Sequence, residues 1–444
     1  MSTRREIMNY IGTAAIGGIV GYYARAKGLL GLKSEVVVRQ STEETPIAET
    51  PTEEASTEAT PTDEAPTEEP PTEAASGNGS RLVTTGFPRF QYDNRNTGFP
   101  PDTRGPQNSP TLRWQFDTDG NNHTTPAIHD GTAYFGGGGG SDNQNNSVYA
   151  VDVRDGSEIW RFDSDAAFQS CAAVGDAVYI ADNGGQLYAL DPASGSAEWS
   201  LDIGRASYTA SPVVTTNRVY IGDPEAGGIV GVDAETGEQV WELDTQGGVP
   251  SSPAVTNNTL YYATETGTVR AVDIVDETRL WEFSADGEVT GAPVVHNGDV
   301  YVTTDTGAVH TIAADTGDER WTTNMDQPIR SSPAVDDTSL YVGDGELFES
   351  PGKLYSLSTD TGAVEWAFQT ESSYGGRQGA IIRSPTVGAD GVYFGVDANK
   401  VYAVTKEDGT ELWRFDTSVV LSSPAIHEEV LYTGTDNNEV LALE

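Results

Sequence analysis

From residue 81 onward, apolar and polar residues alternate in short runs, and clusters of Gly, Asn, Asp and Thr separate the runs. Residues 251–283 show the unit. SPAV opens a strand, NNT turns it, LYYATE makes a second strand, TVRAVDI a third and RLWEF a fourth. Period-two alternation broken by turn residues predicts strands, and no segment of helical period intervenes. The unit repeats. Trp recurs at 114, 160, 199, 241, 281, 321, 366 and 413, spaced by 46, 39, 42, 40, 40, 45 and 47 residues. A second marker keeps step with it, from TTPAI (124–128) through SSPAV (251–255 and 331–335) to SSPAI (422–426), in eight copies. Eight four-stranded units of about forty residues predict an all-β, eight-bladed propeller. The last seven residues, NEVLALE (438–444), read as a third strand with no fourth after it. TLRWQFD (111–117) reads as a fourth strand with no third before it. Pairing the two predicts that the chain ends share the eighth blade, which closes the ring and leaves no blade unfinished.

Two other zones precede the repeats. Residues 41–80 hold eleven acids, no bases and no aromatics, with recurring Pro and Thr. Such a segment buries too little apolar area to offset chain entropy, and it is expected to be a disordered linker or stalk. Residues 1–40 are the one basic zone. TRREIMN (3–9) precedes the mild apolar stretch 7–24. The pattern resembles a twin-arginine export signal. With Arg25, Lys27 and Lys33 following, an uncleaved membrane anchor fits equally. The domain expectation is thus 1–40 signal or anchor, 41–80 linker and 81–444 propeller, placed outside the cytoplasm or at the cell surface.

Charge narrows the partners. Asp and Glu number 68 against 25 Lys and Arg, a formal net charge of −43. Such a field repels nucleic acid and anionic membranes, and leaves the N-terminal segment as the one expected membrane contact. High acid with five Lys resembles salt-adapted, haloarchaeal-type proteins. A single cysteine, Cys171, rules out an intrachain disulfide, and at an inner-strand serine position it reads as a small buried residue. The five His (123, 129, 296, 310 and 427) form no triad pattern, and three of them fall at equivalent hairpin turns. DTDGNN (117–122) lacks the Glu that a calcium loop needs at its twelfth position, and GGGGG (136–140) lacks the Lys of a phosphate loop. No catalytic, cofactor or metal residue is predicted. Asn78, Asn122, Asn145 and Asn257 begin glycan acceptor triplets.

The repeat motif Tyr-Ala-Val-Asp-x-x-x-Gly-x-x-x-Trp is complete at Tyr149 to Trp160, and recurs with small changes to Trp199 and Trp241. It resembles the pyrroloquinoline-quinone (PQQ) repeat family, and residues 87–106 resemble that family's lead-in segment. The resemblance implies that every Trp of the series (Trp114, Trp160, Trp199, Trp241, Trp281, Trp321, Trp366 and Trp413) docks its blade onto the next, near the turn glycine. Glu277, which stands in the glycine place of the fourth unit, should weaken one contact. Quinone-using dehydrogenases of this kind hold the cofactor between a channel Trp and a disulfide of adjacent cysteines, beside Ca²⁺ and a catalytic Asp. Here no second Cys exists. The resemblance therefore runs to non-enzymatic propellers such as the outer-membrane assembly lipoprotein. A PQQ- and Ca²⁺-dependent dehydrogenase and a ligand-sensing module are the alternatives.

Loop lengths suggest a binding face. From Pro marker to Trp the gap is 27–29 residues, except 34 in the first unit (through 136–146) and 33 in the sixth (through 345–353). From Trp to the next marker it is 11–13, except 19 between Trp366 and Pro385 (through 371–383). Strand alternation puts all three enlargements on one face, and loops on a rigid frame carry function. Arg330, Arg377 and Arg383 near inner-strand entrances, with Tyr374 and Phe348, are the candidate contact residues for a protein or glycan partner.

Overall fold

The computed structural model describes residues 86–444, apart from 121–122, 139–145, 205–209, 225–226, 347–349 and 373–377. The expected signal or anchor and the linker lie outside the described residues. In the first blade β1 (Gly86–Phe87), β3 (Ala127–His129), β4 (Thr132–Gly137), β5 (Asn146–Asp152) and β6 (Glu158–Ser164) form one antiparallel sheet, with β1 innermost. Six further four-stranded sheets follow in chain order. The eighth combines β2 (Leu112–Asp117) with the strands Glu439–Leu443, Val430–Gly434 and Ala425–His427, in that order. Leu441 is paired with Gln115 and Val440 with Phe116, so the eighth blade closes the ring with both chain ends as expected. The first and last innermost strands are in contact.

The core lies between blades. One apolar cluster joins Trp114, Val430, Tyr432 and Val440 of the eighth blade to Phe135, Tyr149 and Val151 of the first. Another joins Tyr220 and Trp241 of the third to Leu260, Tyr262 and Val272 of the fourth. Each Trp packs beside the second-strand Tyr of its own blade, from Tyr134 with Trp160 round to Tyr432 with Trp114. The indole N–H then donates to a backbone carbonyl at the next blade's outer turn. Trp160 reaches Pro192 at 2.8 Å, Trp199 reaches Ala234 at 3.0 Å and Trp281 reaches Ala314 at 2.9 Å. Trp321 reaches Thr359 at 2.8 Å and Trp366 reaches Lys406 at 2.9 Å. The turn glycine is needed for this approach. A Cβ on Gly195, at φ +69°, would stand 2.5 Å from the Trp160 ring, and one on Gly362, also at φ +69°, 2.4 Å from the Trp321 ring. In the first four blades the Asp before the turn, Asp152, Asp191, Asp233 or Asp273, accepts turn N–H groups, as Asp191 does from Ser194 at 2.7 Å.

Two junctions depart from this expected plan. Trp413 of the seventh blade faces a blade whose third and fourth strands come from opposite chain ends, so no turn and no turn glycine joins them. Its indole N–H donates instead to the Pro106 carbonyl of the lead-in segment, at 2.6 Å. The expectation of docking near a turn glycine is corrected for this one Trp. The lead-in segment fills the place of the missing turn.

The third-to-fourth blade junction is the other departure. Glu277 takes φ +55° in the glycine place. Arg218 donates to the Ile274 carbonyl, the equivalent acceptor, at 3.4 Å. The Trp241 ring stands at 83° to Tyr220, where the other seven pairs lie between 41° and 52°. Left-handed backbone costs a non-glycine residue on the order of 1 kcal/mol. Glu277→Gly is therefore expected to stabilise the protein by about 1 kcal/mol in a denaturant titration. A loss of stability would mean that the Glu277 side chain holds the turn.

Candidate functional site

The repeated Ser-Pro marker builds the wall of the central channel. The backbone N–H at the marker's second position donates to the side chain at the same position of the next blade. Cys171 donates to Ser211 Oγ at 3.0 Å, Ser211 to Ser252 Oγ at 2.8 Å, Ala292 to Ser332 Oγ at 2.8 Å, and Ser332 and Ser384 to Ser384 Oγ and Ser423 Oγ at 3.1 Å. Cys171 belongs to this ring: its Sγ accepts the Thr125 N–H at 3.1 Å. Burial raises its thiol, which stays neutral.

Residues 87–104 close one end of the channel as a plug. Marker N–H groups of five blades donate to its carbonyls: Val174 to Pro88, Val255 to Asn94, Val295 to Arg95, Val335 to Thr97 and Val387 to Gly98, all between 2.7 and 2.9 Å. Asn96, fully buried at φ +58°, donates to the carbonyls of Ser252, Pro253 and Pro293 at 3.3, 3.2 and 3.0 Å. Arg89 donates to Asn96 Oδ1 at 2.9 Å and to the carbonyls of Asp93 and Pro212. Burial pulls Arg89 down to about 10, against the pull of the Asp93 carboxylate, so it stays charged at neutral pH. Because β1 puts Gly86 opposite His129, beside the short Asp130–Gly131 turn, the plug lies toward the short-turn face.

The enlarged loops lie at the opposite end. The bases of 345–353 and 371–382 are stitched together. Thr370 Oγ1 donates to the carbonyls of Gly352 and Gly379, both at 2.7 Å, and the Gly352 N–H donates to the Gly379 carbonyl at 3.3 Å. Buried carboxylates anchor both loops. Asp397 accepts the N–H groups of Gly379 and Ala380, and Asp344 accepts the Lys353 N–H and the Tyr355 hydroxyl. The base of 136–146 sits elsewhere, with Gly136 against Phe168 and Gly138 against Gly120 and Ala167. Two of the three expected loops thus form one unit at their bases.

Of the five candidate contact residues, Arg377, Tyr374 and Phe348 lie outside the described residues. Arg330 and Arg383 are half-buried at inner-strand entrances, and the Nε of Arg383 is enclosed without an acceptor. The sequence reading gave no role to His123, whose Nδ1 accepts from Arg383 Nη2 at 3.5 Å. It also missed the plug residues Arg89 and Asn96. The departure of Arg383 from the serine usual at its marker position was the available signal.

Comparison with known proteins follows the same geometry. The family profile of outer membrane protein assembly factor BamB, built of PQQ-type repeats, matches residues 107–223, 206–291, 265–396 and 352–444. The chain belongs to this BamB-type repeat family. Over 165 residues it is 33% identical to quinohemoprotein alcohol dehydrogenase ADH IIB of Pseudomonas putida, which covers 32% of this chain and 23% of that enzyme. The chain therefore spans under a quarter of that relative's length. The crystal structure of the Comamonas testosteroni quinohemoprotein alcohol dehydrogenase superposes with a TM-score of 0.66 at 15% identity, over 83% of this chain and 81% of that one. BamB from Moraxella catarrhalis superposes with a TM-score of 0.62 at 16% identity, over 76% of this chain and 97% of that one. At these identities the likeness shows the fold.

The dehydrogenase relatives raise the question of PQQ with Ca²⁺, and the donor set of this BamB-type propeller does not fit that pair. The expected clamp needs a channel Trp and two adjacent cysteines. All eight Trp lie on outermost strands, and seven, all but Trp241, donate their N–H to a carbonyl beyond their own blade or on the lead-in segment. Cys171 stands alone in the hydroxyl ring. No group of three His, Cys, Asp or Glu suited to a metal ion occurs among the described residues.

Proposed function

We propose that this chain is a non-enzymatic binding scaffold acting outside the cytoplasm. It presents the loops 136–146, 345–353 and 371–383 to a protein or glycan partner. One observation carries the reading: the two faces are built for different work. The short-turn face is closed by a plug that bonds to the inner strands around the ring. The opposite face carries the enlargements, two of them stitched at their bases into one platform. Among the described residues no helix is long and apolar enough to cross a membrane. The family description, an outer membrane assembly factor, supports a protein partner outside the cytoplasm.

The test is cross-linking and affinity capture in high salt, comparing the full chain with a form trimmed at 373–377, short of the buried Ala380 and Ile381. Partners captured by the full chain are expected to be lost on trimming, while the thermal transition is retained. The same partners captured by both forms would count against this face.

A further inference from the structure

We infer that the channel at the hydroxyl ring, on the side away from the plug, is a binding site for a small oxyanion, held by Arg383 and His123. This site is independent of the loop platform. At the first marker position the other blades carry Thr124, Ser170, Ala210, Ser251, Gly291, Ser331 and Ser422. Four of these hydroxyls turn back into their own blade: Thr124 donates to the Gly136 carbonyl at 3.1 Å, Ser170 to the Ala181 carbonyl at 2.8 Å and Ser331 to the Gly343 carbonyl at 3.3 Å, and Ser422 accepts the Gly434 N–H at 2.7 Å. The Arg383 side chain is too long for that bond. It passes the eighth blade and reaches His123 of the first.

No carboxylate lies within ion-pair distance of Arg383 among the described residues, and its Nε is enclosed without an acceptor. That is anomalous in a chain with 68 acids and 25 bases, where Arg95, Arg104, Arg161, Arg270 and Arg414 each hold a carboxylate at 3.0 Å or less. A secluded cation without a counter-ion is costly, and the protein offers it no internal anion. Arg383 can only donate, so His123 Nδ1 accepts and the ring proton sits on Nε2. Burial, with Arg383 adding to it, pulls His123 down to about 3, so the ring is neutral. Its Nε2–H has no partner among the described residues. Across the ring, the Ser251 hydroxyl is also enclosed without a partner. The nearby Cys171 thiol is neutral and supplies no counter-charge. The site therefore offers a guanidinium fork and an imidazole N–H, with no carboxylate within ion-pair distance of Arg383 among the described residues. That set suits the oxygens of a carboxylate, sulfate or phosphate.

The test uses the full chain with Arg383→Ser and His123→Gln. Arg383→Ser places at this position the residue already present in four blades, so folding is not at risk. Thermal transitions and calorimetric titrations are recorded with acetate, sulfate and phosphate against chloride at constant high ionic strength. The wild type is expected to show a saturable rise in Tm with at least one oxyanion, following mass action, and a one-to-one calorimetric isotherm. Arg383→Ser is expected to lose both while melting no lower in chloride. His123→Gln should weaken binding about tenfold, the effect of one good hydrogen bond to a charged group. The ranking of the three probes separates a carboxylate ligand from an inorganic one. An equal rise in wild type and Arg383→Ser, or no saturable response to any probe, would overturn the inference.

Discussion

Removing residues 439–444 is expected to abolish the cooperative fold. The strand Glu439–Leu443 is central in its sheet, hydrogen-bonded to β2 on one side and to Val430–Gly434 on the other. Val440, Ala442 and Leu443 have no exposed surface, and Leu441 has 4%. Burial of each large aliphatic side chain contributes roughly 1.5–3 kcal/mol. The deletion also frees β2, and with it the Trp114 ring, which donates to the Val153 carbonyl at 2.9 Å and docks the eighth blade on the first. These losses together are comparable with the whole stability of a typical domain, about 5–15 kcal/mol. The truncated chain should show no cooperative thermal transition by calorimetry. A transition close to that of the full chain would show that the ring does not depend on its terminal strand.

The second large effect is expected at Asn96, which has no partner in the repeat pattern. Its amide satisfies three carbonyls from the fourth and fifth blades, and its Oδ1 accepts from the buried Arg89. Each neutral hydrogen bond contributes about 1 kcal/mol, and one to a charged group about 1.5–3. Asn96→Gly keeps the left-handed backbone and removes the side chain, so about 3 kcal/mol should be lost. Asn96→Ala adds the cost of a Cβ at φ +58° and should lose about 1 kcal/mol more. Denaturant titrations of the two variants separate side chain from backbone. A loss below about 1 kcal/mol for Asn96→Gly would mean that the plug lies on the channel without holding it.

The features that repeat were legible in the sequence. Trp spacing supplied the blade count. The mismatch between NEVLALE and TLRWQFD supplied the ring closure, and gap lengths supplied the enlarged loops. Glu277 in the glycine place marked the junction at which the Trp241 ring stands rotated. The features that do not repeat were not legible. Trp413 matches the series in spacing, yet its acceptor is Pro106, because ring closure removes the turn that the other blades offer. Arg89, Gln91, Asn94 and Asn96 have no periodicity, because from one short segment they reach the third, sixth, third and fifth blades. The Ser-Pro marker read as a strand opening, since alternation reports which face is buried and not which neighbour a hydroxyl serves. The marker joins blades through its serines and receives the plug through its prolines and valines. Arg383 was visible as a cation near the channel. Its lack of a carboxylate partner depends on how blades 7, 8 and 1 meet, and no spacing reports that.

The central claim, that this repeat frame binds and does not oxidise, is tested most directly by reconstitution. The purified chain is incubated with PQQ and Ca²⁺, its absorption spectrum is recorded, and alcohol-dependent reduction of an artificial electron acceptor is measured. The account predicts no Ca²⁺-dependent spectral change and no dye reduction above the free-cofactor rate, because the indoles are committed between blades and Cys171 has no partner cysteine. Saturable, Ca²⁺-dependent turnover of an alcohol would contradict it.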